Sequence, residues 1–248
     1  MMNLKIYKKK KDAERTRDPV RRVLEMSNNP PPKEPVPRKV SPRTLENAQA
    51  FGMCATAAKM LRNAIGPLMD GIHDPTVNQR LVKELMKVIR NNPTGIKSEG
   101  LKNGDLELLM GFKFNAKADL FARLFCAYRS TINRSDRHMT MAIPSFDSYW
   151  DLVVPRGATH YQFLSAGVGA DFAKNTFDSE IQRTEFLPVG VKCSRPVAFI
   201  HDVGVQDSNT LFMVVALKFY IKCGTELLPV MDKSFSPVNV VEVSNALR

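Results

Sequence analysis

The chain has 248 residues, of which 44% are hydrophobic, and this is enough apolar material for a sizeable core in one large or two small domains. Its net charge of +11 is uneven, because the first 43 residues hold 13 Lys and Arg against 5 Asp and Glu. The composition excludes a chain that is disordered throughout. We expect a basic, proline-rich arm at 1–43, a helical segment at 44–104 and an antiparallel β-sandwich at 105–248.

The arm and the cysteines bear on the cellular compartment. Lysines 8–11 are followed by polar residues rather than by the apolar stretch of a secretory signal, and the chain has no run of 18 apolar residues that would span a bilayer. The cysteines, Cys54, Cys126, Cys193 and Cys223, lack zinc-site spacing and are expected to be buried free thiols. The sequence therefore indicates a cytoplasmic protein without a membrane span, a metal or another cofactor.

The basic residues of the arm have two interpretations. As a binding element, they would neutralise phosphates of nucleic acid or of an anionic membrane and give a salt-dependent affinity. As a solvated tail, they would only keep the protein soluble. Tyr7 is the only aromatic residue of the arm, which therefore offers no stacking platform for single strands. The candidate polyanion contacts are Lys8, Lys9, Lys10, Lys11, Arg15, Arg17, Arg21 and Arg22.

The arm also has features of a segment that docks on a neighbouring subunit. Leu4 and Ile6, together with the face of Tyr7, alternate with polar residues as in a short half-buried strand. The prolines between 30 and 37 predict an extended connector behind it. Such a strand could add to the exposed sheet edge of a partner.

Two helices are predicted at the start of the body. Ser41-Pro42 has the residue types of an N-cap and a first helical position, and apolar residues from Leu45 through Phe51 then recur every three or four positions until a Gly-Pro pair. A second helix is capped by Asp74-Pro75 and ends at 91–93. The short connection between the two predicts a helix hairpin.

From about residue 105, short segments rich in Val, Phe, Thr and Ile alternate with turn residues. No helical pattern lies between them, which favours an antiparallel sandwich over a βαβ arrangement. The predicted fold class is therefore α+β, with an N-terminal helix hairpin followed by an antiparallel β-sandwich. The predicted strands are 113–115, 120–128, 139–143, 159–166, 169–172, 180–187, 195–203, 211–221 and 239–243.

About four-fifths of the chain resembles an uncharacterised family of proteins from Bacteroidota, with a helical N-terminal part and a β-rich C-terminal part. The resemblance implies a common fold and supplies no activity. The segments that carry it are Gly111-Phe112-Lys113-Phe114-Asn115, Ala158-Thr159-His160-Tyr161 and Ser165-Ala166-Gly167, with residues 44–47, 51–52, 61–62, 81–82, 86–89, 171–172, 176–177 and 187–188.

None of the residue groups predicts catalysis. His160, Ser165 and Asp171 have the types of a hydrolytic triad, but the odd separation of the first two puts them on opposite faces of a strand. Gly167-Val168-Gly169 is not followed by a helix that would receive a phosphate, so a bulge or bend is expected there. Three histidines stand near an aspartate and are interpreted as hydrogen-bonded loop residues rather than metal ligands: His73, His138 and His201.

The segment 144–150 contains Phe146, Tyr149 and Trp150. These rings would form an exposed contact for a protein or a sugar, or would close one end of the β-sandwich core. The hypothesis that the whole sequence favours is a non-enzymatic structural protein, a homo-oligomer or partner of another protein, which assembles through sheet edges and the arm. The alternatives are a nucleic-acid or polyanion binding module that uses the arm, and an enzyme of unrecognised type.

Overall fold

The computed structural model describes residues 40–92, 100–102, 104–136, 138–190, 196–203 and 209–246. Helices come first and strands follow. The helices are α1 (Pro42–Ala64), α2 (Gly66–Met69) and α3 (Val77–Asn91), with 3₁₀ turns at Leu106–Leu109 and Lys233–Phe235. The strands are β1 (Arg129–Asn133), β2 (His138–Ile143), β3 (His160–Asp171), β4 (Thr176–Arg183), β5 (Leu187–Pro188), β6 (Val197–His201), β7 (Thr210–Cys223), β8 (Glu226–Pro229) and β9 (Val238–Ser244).

Helix α1 begins where its capping residues predict, whereas α3 begins at Val77, two residues after Pro75. Helix α1 starts at Pro42, whose fixed φ suits a first turn, and the side chain of Asp74 accepts a hydrogen bond from the Thr76 amide (2.8 Å) just before α3. The buried side of α1 consists mainly of small side chains, and Leu45 and Phe51, which the pattern assigned to the core, are exposed. A close approach to the neighbouring layer needs small residues, and alanines supply them here.

The strands form a larger and a smaller antiparallel sheet, which together make a curled sheet. In the larger sheet the order is β4-β3-β7-β8, with β5 paired to β3 and β9 paired to β7. The smaller sheet has the order β1-β2-β6. The predicted α+β class with antiparallel strands is confirmed.

The central strands β3 and β7 are buried on both faces. On one face, Leu164, Ala166 and Val168 pack with the helices in the helix-facing core. On the other face, Tyr161 and Phe163 pack with the smaller sheet in the sheet-facing core. Because successive side chains of a strand point to opposite faces, a strand that separates two cores is apolar along most of its length.

Side-chain hydrogen bonds along two seams connect the smaller sheet to the larger one. On one side, Gln182 of β4 donates to the carbonyl of Ile200 on β6 (2.6 Å) and accepts from the amide of Ile200 (3.3 Å). On the other side, Arg134, which follows β1, donates to both the carbonyl and the hydroxyl of Ser244 at the end of β9 (2.9 Å each). Backbone groups outside the strand pairs are satisfied in this way.

The predicted strand at 120–128 is wrong. Residues 120–123 form a turn, and Leu124 makes only an isolated bridge; Leu120 and Leu124 are buried four positions apart, and the amide of Leu124 donates to the carbonyl of Leu120 (2.8 Å). The bend predicted at Gly167-Val168-Gly169 lies inside the continuous strand β3. Strands β1 and β8 were not predicted, because neither shows a clear apolar alternation. The β-sandwich, the helix hairpin and the domain boundaries stay predictions, and 1–39 lies outside the described residues.

Within the described ranges, no helix is both long and apolar enough to cross a membrane. Of the cysteines, Cys54 is buried as predicted, and burial raises the pKa of its thiol to about 11. Cys126 is half-buried and Cys223 is exposed, so the prediction that all four are buried is wrong. Cys193 lies outside the described residues.

Candidate functional site

Four exposed aromatic side chains lie on two neighbouring segments and form what we call the aromatic surface: Phe121, Phe125, Tyr149 and Trp150. Their exposed fractions are 64%, 62%, 68% and 74%, in that order. Large aromatic rings are usually withdrawn from water, so such exposure at adjacent positions indicates an interaction surface.

Backbone hydrogen bonds hold the two segments of the aromatic surface together. The amide of Phe125 donates to the carbonyl of Asp151 (2.8 Å), and the amide of Val153 donates to the carbonyl of Arg123 (2.9 Å). Leu124 and Leu152 form an isolated antiparallel bridge between them, and both side chains are buried in the sheet-facing core. The exposed rings are therefore mounted on an anchored framework.

The turn that presents Tyr149 and Trp150 is organised by Asp147. The Asp147 carboxylate accepts from the amide of Tyr149 (2.8 Å), and its carbonyl accepts from the amides of Trp150 (3.1 Å) and Asp151 (2.8 Å). This is an Asx-type turn, in which a short acidic side chain replaces a backbone acceptor. The rings of Tyr149 and Trp150 meet edge to face, with centroids 4.8 Å apart.

Of the three aromatics predicted in this segment, two are exposed and one is not. Phe146 is only 3% exposed and packs edge to face on Phe163, with centroids 6.1 Å apart, so the prediction of an exposed contact at Phe146 is wrong. It belongs to the sheet-facing core, where Leu152 and Tyr161 also lie. The segment thus combines both interpretations, since Phe146 closes the core and Tyr149 and Trp150 face solvent.

A cluster of polar side chains also lies inside the sheet-facing core. His201 Nε2 and Ser165 Oγ form a hydrogen bond (2.8 Å), and the nearest carboxylate to His201 Nδ1 is Glu180, at 3.9 Å. The residue types are those of a nucleophile, a base and an acid. Both Ser165 and His201 are fully buried, and Met139 and Phe199 pack around them, so this arrangement leaves no room for a substrate carbonyl at Oγ.

The environment of His201 favours its neutral form. Burial lowers the pKa of His201, and the negative charge of Glu180 opposes this only in part. The Glu180 carboxylate is itself held by Gln182 and by the amide of Asp202 (2.8 Å), and these bonds lower its pKa. His201 is therefore a core residue bonded to Ser165, and its interpretation as a loop histidine beside Asp202 is wrong.

The other predicted site residues are not brought together. Asp171 caps the turn after β3 by accepting from the amides of Ala173 and Lys174 (3.0 Å each), on the strand that carries Ser165 but away from His160. His160 is paired with the hydroxyl of Thr159 (2.9 Å). In the part of the chain that the structure describes, no three metal-binding side chains cluster.

The candidate residues of the arm lie outside the described residues: Leu4, Ile6, Tyr7, Lys8, Lys9, Lys10, Lys11, Arg15, Arg17, Arg21 and Arg22. Sequence reasoning missed Phe121 and Phe125, which were assigned to a strand. The signal that was available is their spacing of four, offset by one from the buried Leu120 and Leu124, which is helical rather than strand-like. Comparison with protein-family models, with curated proteins and with solved structures finds no match to this chain.

Proposed function

We propose that this protein is a non-enzymatic structural protein that associates with further copies of itself, with the aromatic surface as its main contact. In this proposal the body is a helix hairpin joined to a β-sandwich, and sheet edges and the N-terminal arm add secondary contacts. The observation that carries it is the exposure of Phe121, Phe125, Tyr149 and Trp150 on an anchored framework.

Residue type and rigidity both support an interface. Trp and Tyr are enriched among the residues that dominate binding energy, and rings held in place before association lose little entropy on binding. Tyr149 and Trp150 are fixed by the Asp147 turn and by their own edge-to-face contact. Self-association by an isologous contact would bring the same rings of two copies together.

The test uses Trp150, which is the single tryptophan of the chain. The molar mass in solution should rise with protein concentration, and the emission of Trp150 should shift to shorter wavelength as the ring leaves water. Phe125→Ser keeps this reporter and should weaken association about tenfold or more. Trp150→Ser should do the same by the mass measurement alone.

Phe51→Ser is the matched control, because Phe51 is an exposed aromatic of similar exposure on α1. It should leave association unchanged. A full-length protein that stays monomeric at high concentration contradicts the proposal, and so does equal weakening by Phe51→Ser and Phe125→Ser.

The charge of the arm favours a second candidate function, binding of nucleic acid or another polyanion, because 1–43 carries a net charge of +8. Replacement of Lys8, Lys9, Lys10 and Lys11 by Gln should then weaken DNA binding and flatten its dependence on salt. If the unmodified protein does not bind DNA and the four-lysine variant associates more weakly, the arm serves assembly. If neither property changes, the arm has no part in either.

A further inference from the structure

A cleft of about 590 Å³ lies where the helices stop covering the larger sheet. Its floor is formed by β3, β4 and β7, and its rim by the turn after α2 and the segment 229–236. We call it the basic cleft. This volume lies in the range of sites that hold small organic ligands.

The helix-facing side of the sheet changes character at the basic cleft. Along β7, Val214 and Ala216 belong to the helix-facing core, and the next residue on that face is Lys218. Along β3, Leu164 is followed on the same face by Gln162, which pairs with Lys218 across the two strands. Burial of a charged side chain within an otherwise apolar strand costs free energy unless a hydrogen-bonding or oppositely charged group compensates the charge.

Positive charge is in excess around the basic cleft. Arg183, Lys218 and Lys233 line it, and Asp70 is the one carboxylate among the described lining residues. Lys218 Nζ donates to the carbonyls of Pro67 (3.2 Å) and Asp70 (3.1 Å), which are neutral acceptors. Lys233 Nζ donates to the carbonyl of Val230 (3.3 Å). Within the described ranges, no ion pair joins any of the three cations to a carboxylate.

The surroundings of Lys218 stabilise its positive charge only in part. Burial lowers the pKa of Lys218; the charge of Asp70 opposes this, and that of Lys233 adds to it. Lys218 and Lys233 thus share the basic cleft with the Asp70 carboxylate, whose charge does not restore the usual pKa of Lys218. A bound anion would stabilise both, since opposite charge in a poorly solvated site has a large effect.

The remaining walls of the basic cleft offer apolar contact and fixed polar groups. Ile72, Leu164 and Ile181 line it, so that an organic group would have surface to cover. The hydroxyl of Tyr220 donates to Gln162 (3.2 Å), and the amide of Gln162 donates to the carbonyl of Thr184 (2.8 Å). These bonds fix the polar side of the floor before any ligand arrives.

We propose that the basic cleft binds a small organic phosphate monoester, with Arg183, Lys218 and Lys233 around the phosphate and the organic group on the apolar wall. The excess of two positive charges matches a phosphate monoester, which carries about −1.5 to −2 at neutral pH. A carboxylate ligand carries a single negative charge and would leave about one of the two excess positive charges of the basic cleft without a counter-charge. Guanidinium and ammonium groups are the usual phosphate partners in proteins.

Calorimetric titration of the full-length protein with phenyl phosphate, inorganic phosphate, benzoate and phenol tests the proposal. Phenyl phosphate should bind most tightly, inorganic phosphate more weakly because the apolar wall stays empty, and phenol not measurably. Arg183→Gln and Lys233→Gln should each weaken phenyl phosphate about tenfold. Lys218→Gln should do so too, but it also removes the bonds to the α2 turn, so its melting temperature is measured alongside.

Lys222→Gln is the matched control, since it removes the same charge from an exposed position on β7 outside the basic cleft and should leave the affinity unchanged. The protein with Lys8, Lys9, Lys10 and Lys11 replaced by Gln should also bind phenyl phosphate normally. Three results overturn the proposal: no saturable binding of phenyl phosphate at millimolar concentration, benzoate binding as tightly as phenyl phosphate, or full affinity in Arg183→Gln and Lys233→Gln.

Discussion

The two faces of the same strands, β3 and β7, are packed in different ways. On the helix-facing side the strands contribute mainly small or branched residues such as Ala166, Ala170 and Val214, which belong to one core with the alanines of α1. On the sheet-facing side they contribute Phe163, Phe219 and other large groups. Small side chains let a helix lie close to a sheet, whereas the thin layer of the smaller sheet must fill its space with large rings.

This difference indicates which kind of change each face tolerates. The sheet-facing core should be sensitive to loss of volume and to added atoms, because a few large side chains and one close approach define it. The helix-facing core should depend more on the polar contacts that fix its helices. Four predictions separate the two cases.

The largest effect is expected from Phe163→Ala. Phe163 is fully buried and contacts the rings of Phe146 and Tyr161, so its loss should lower the free energy of unfolding by about 4 kcal/mol. Val168→Ala is a smaller truncation on the helix-facing side and should cost about 2 kcal/mol. Chemical denaturation measures both, and equal losses would contradict the contrast between the faces.

Gly167→Ala comes next. A Cβ at Gly167 would lie 2.6 Å from His201 Cβ and 2.9 Å from Met139 Cε, so the smaller sheet would have to move away from β3. We expect a loss of about 2 kcal/mol. At Gly169, two positions along β3, the nearest atoms to a Cβ are 3.5 Å or more away, and Gly169→Ala should change stability by less than about 1 kcal/mol. If both variants melt alike, the close approach of β6 to β3 is not what requires glycine.

On the helix-facing side, Asp74→Ala should cost about 2 kcal/mol by chemical denaturation. The carboxylate of Asp74 accepts from Arg80 (2.7 Å), from the amide of Ala116 (2.8 Å) and from Thr76, so it fixes the start of α3 to the following segment. Asp74→Asn retains one acceptor oxygen and should lose less than Asp74→Ala. A harmless Asp74→Ala would show that apolar packing alone positions α3.

The smallest expected effect is a difference in pH response between the faces. The pKa of His201 is lowered by burial, so the unfolded chain binds a proton at a higher pH than the folded protein does. Stability should therefore fall as the pH drops below about 6.5, and His201→Gln should flatten that slope. Burial raises the pKa of Asp74, but its hydrogen bonds outweigh this and lower the pKa, so its contribution is lost only below about pH 4. Melting temperatures of the parent protein and of His201→Gln between pH 7.5 and 3 measure both effects. Identical slopes of melting temperature against pH for the two proteins above pH 5 would contradict the assignment to His201.

Strong local patterns made parts of this fold predictable. The Ser41-Pro42 pair marks the start of α1, and the long apolar run within β7 predicts a buried strand. Strand β1 was missed because its residues are half exposed, and only pairing with β2 makes it a strand.

The candidate site shows a different limit. The aromatic segment with Tyr149 and Trp150 is recognisable in the sequence. Which of its rings face water depends on the Asp147 turn and on the bridge between Leu124 and Leu152, and neither is apparent from the sequence. Ser165 and His201 are 36 residues apart, and no spacing rule connects them. Besides the spacing of Phe121 and Phe125, Lys218 was a local signal left unused, as a charge in the middle of an apolar strand.

The seams between the sheets have a consequence for how the molecule opens. Each seam consists of side-chain bonds, such as those from Gln182 to Ile200 and from Arg134 to Ser244, rather than a continuous backbone ladder. Such bonds can break without unzipping a strand pair, so β1, β2 and β6 can detach as one unit while β3 and β7 stay paired. We therefore expect amide protons of the smaller sheet to exchange with solvent together and earlier than those of the central strands.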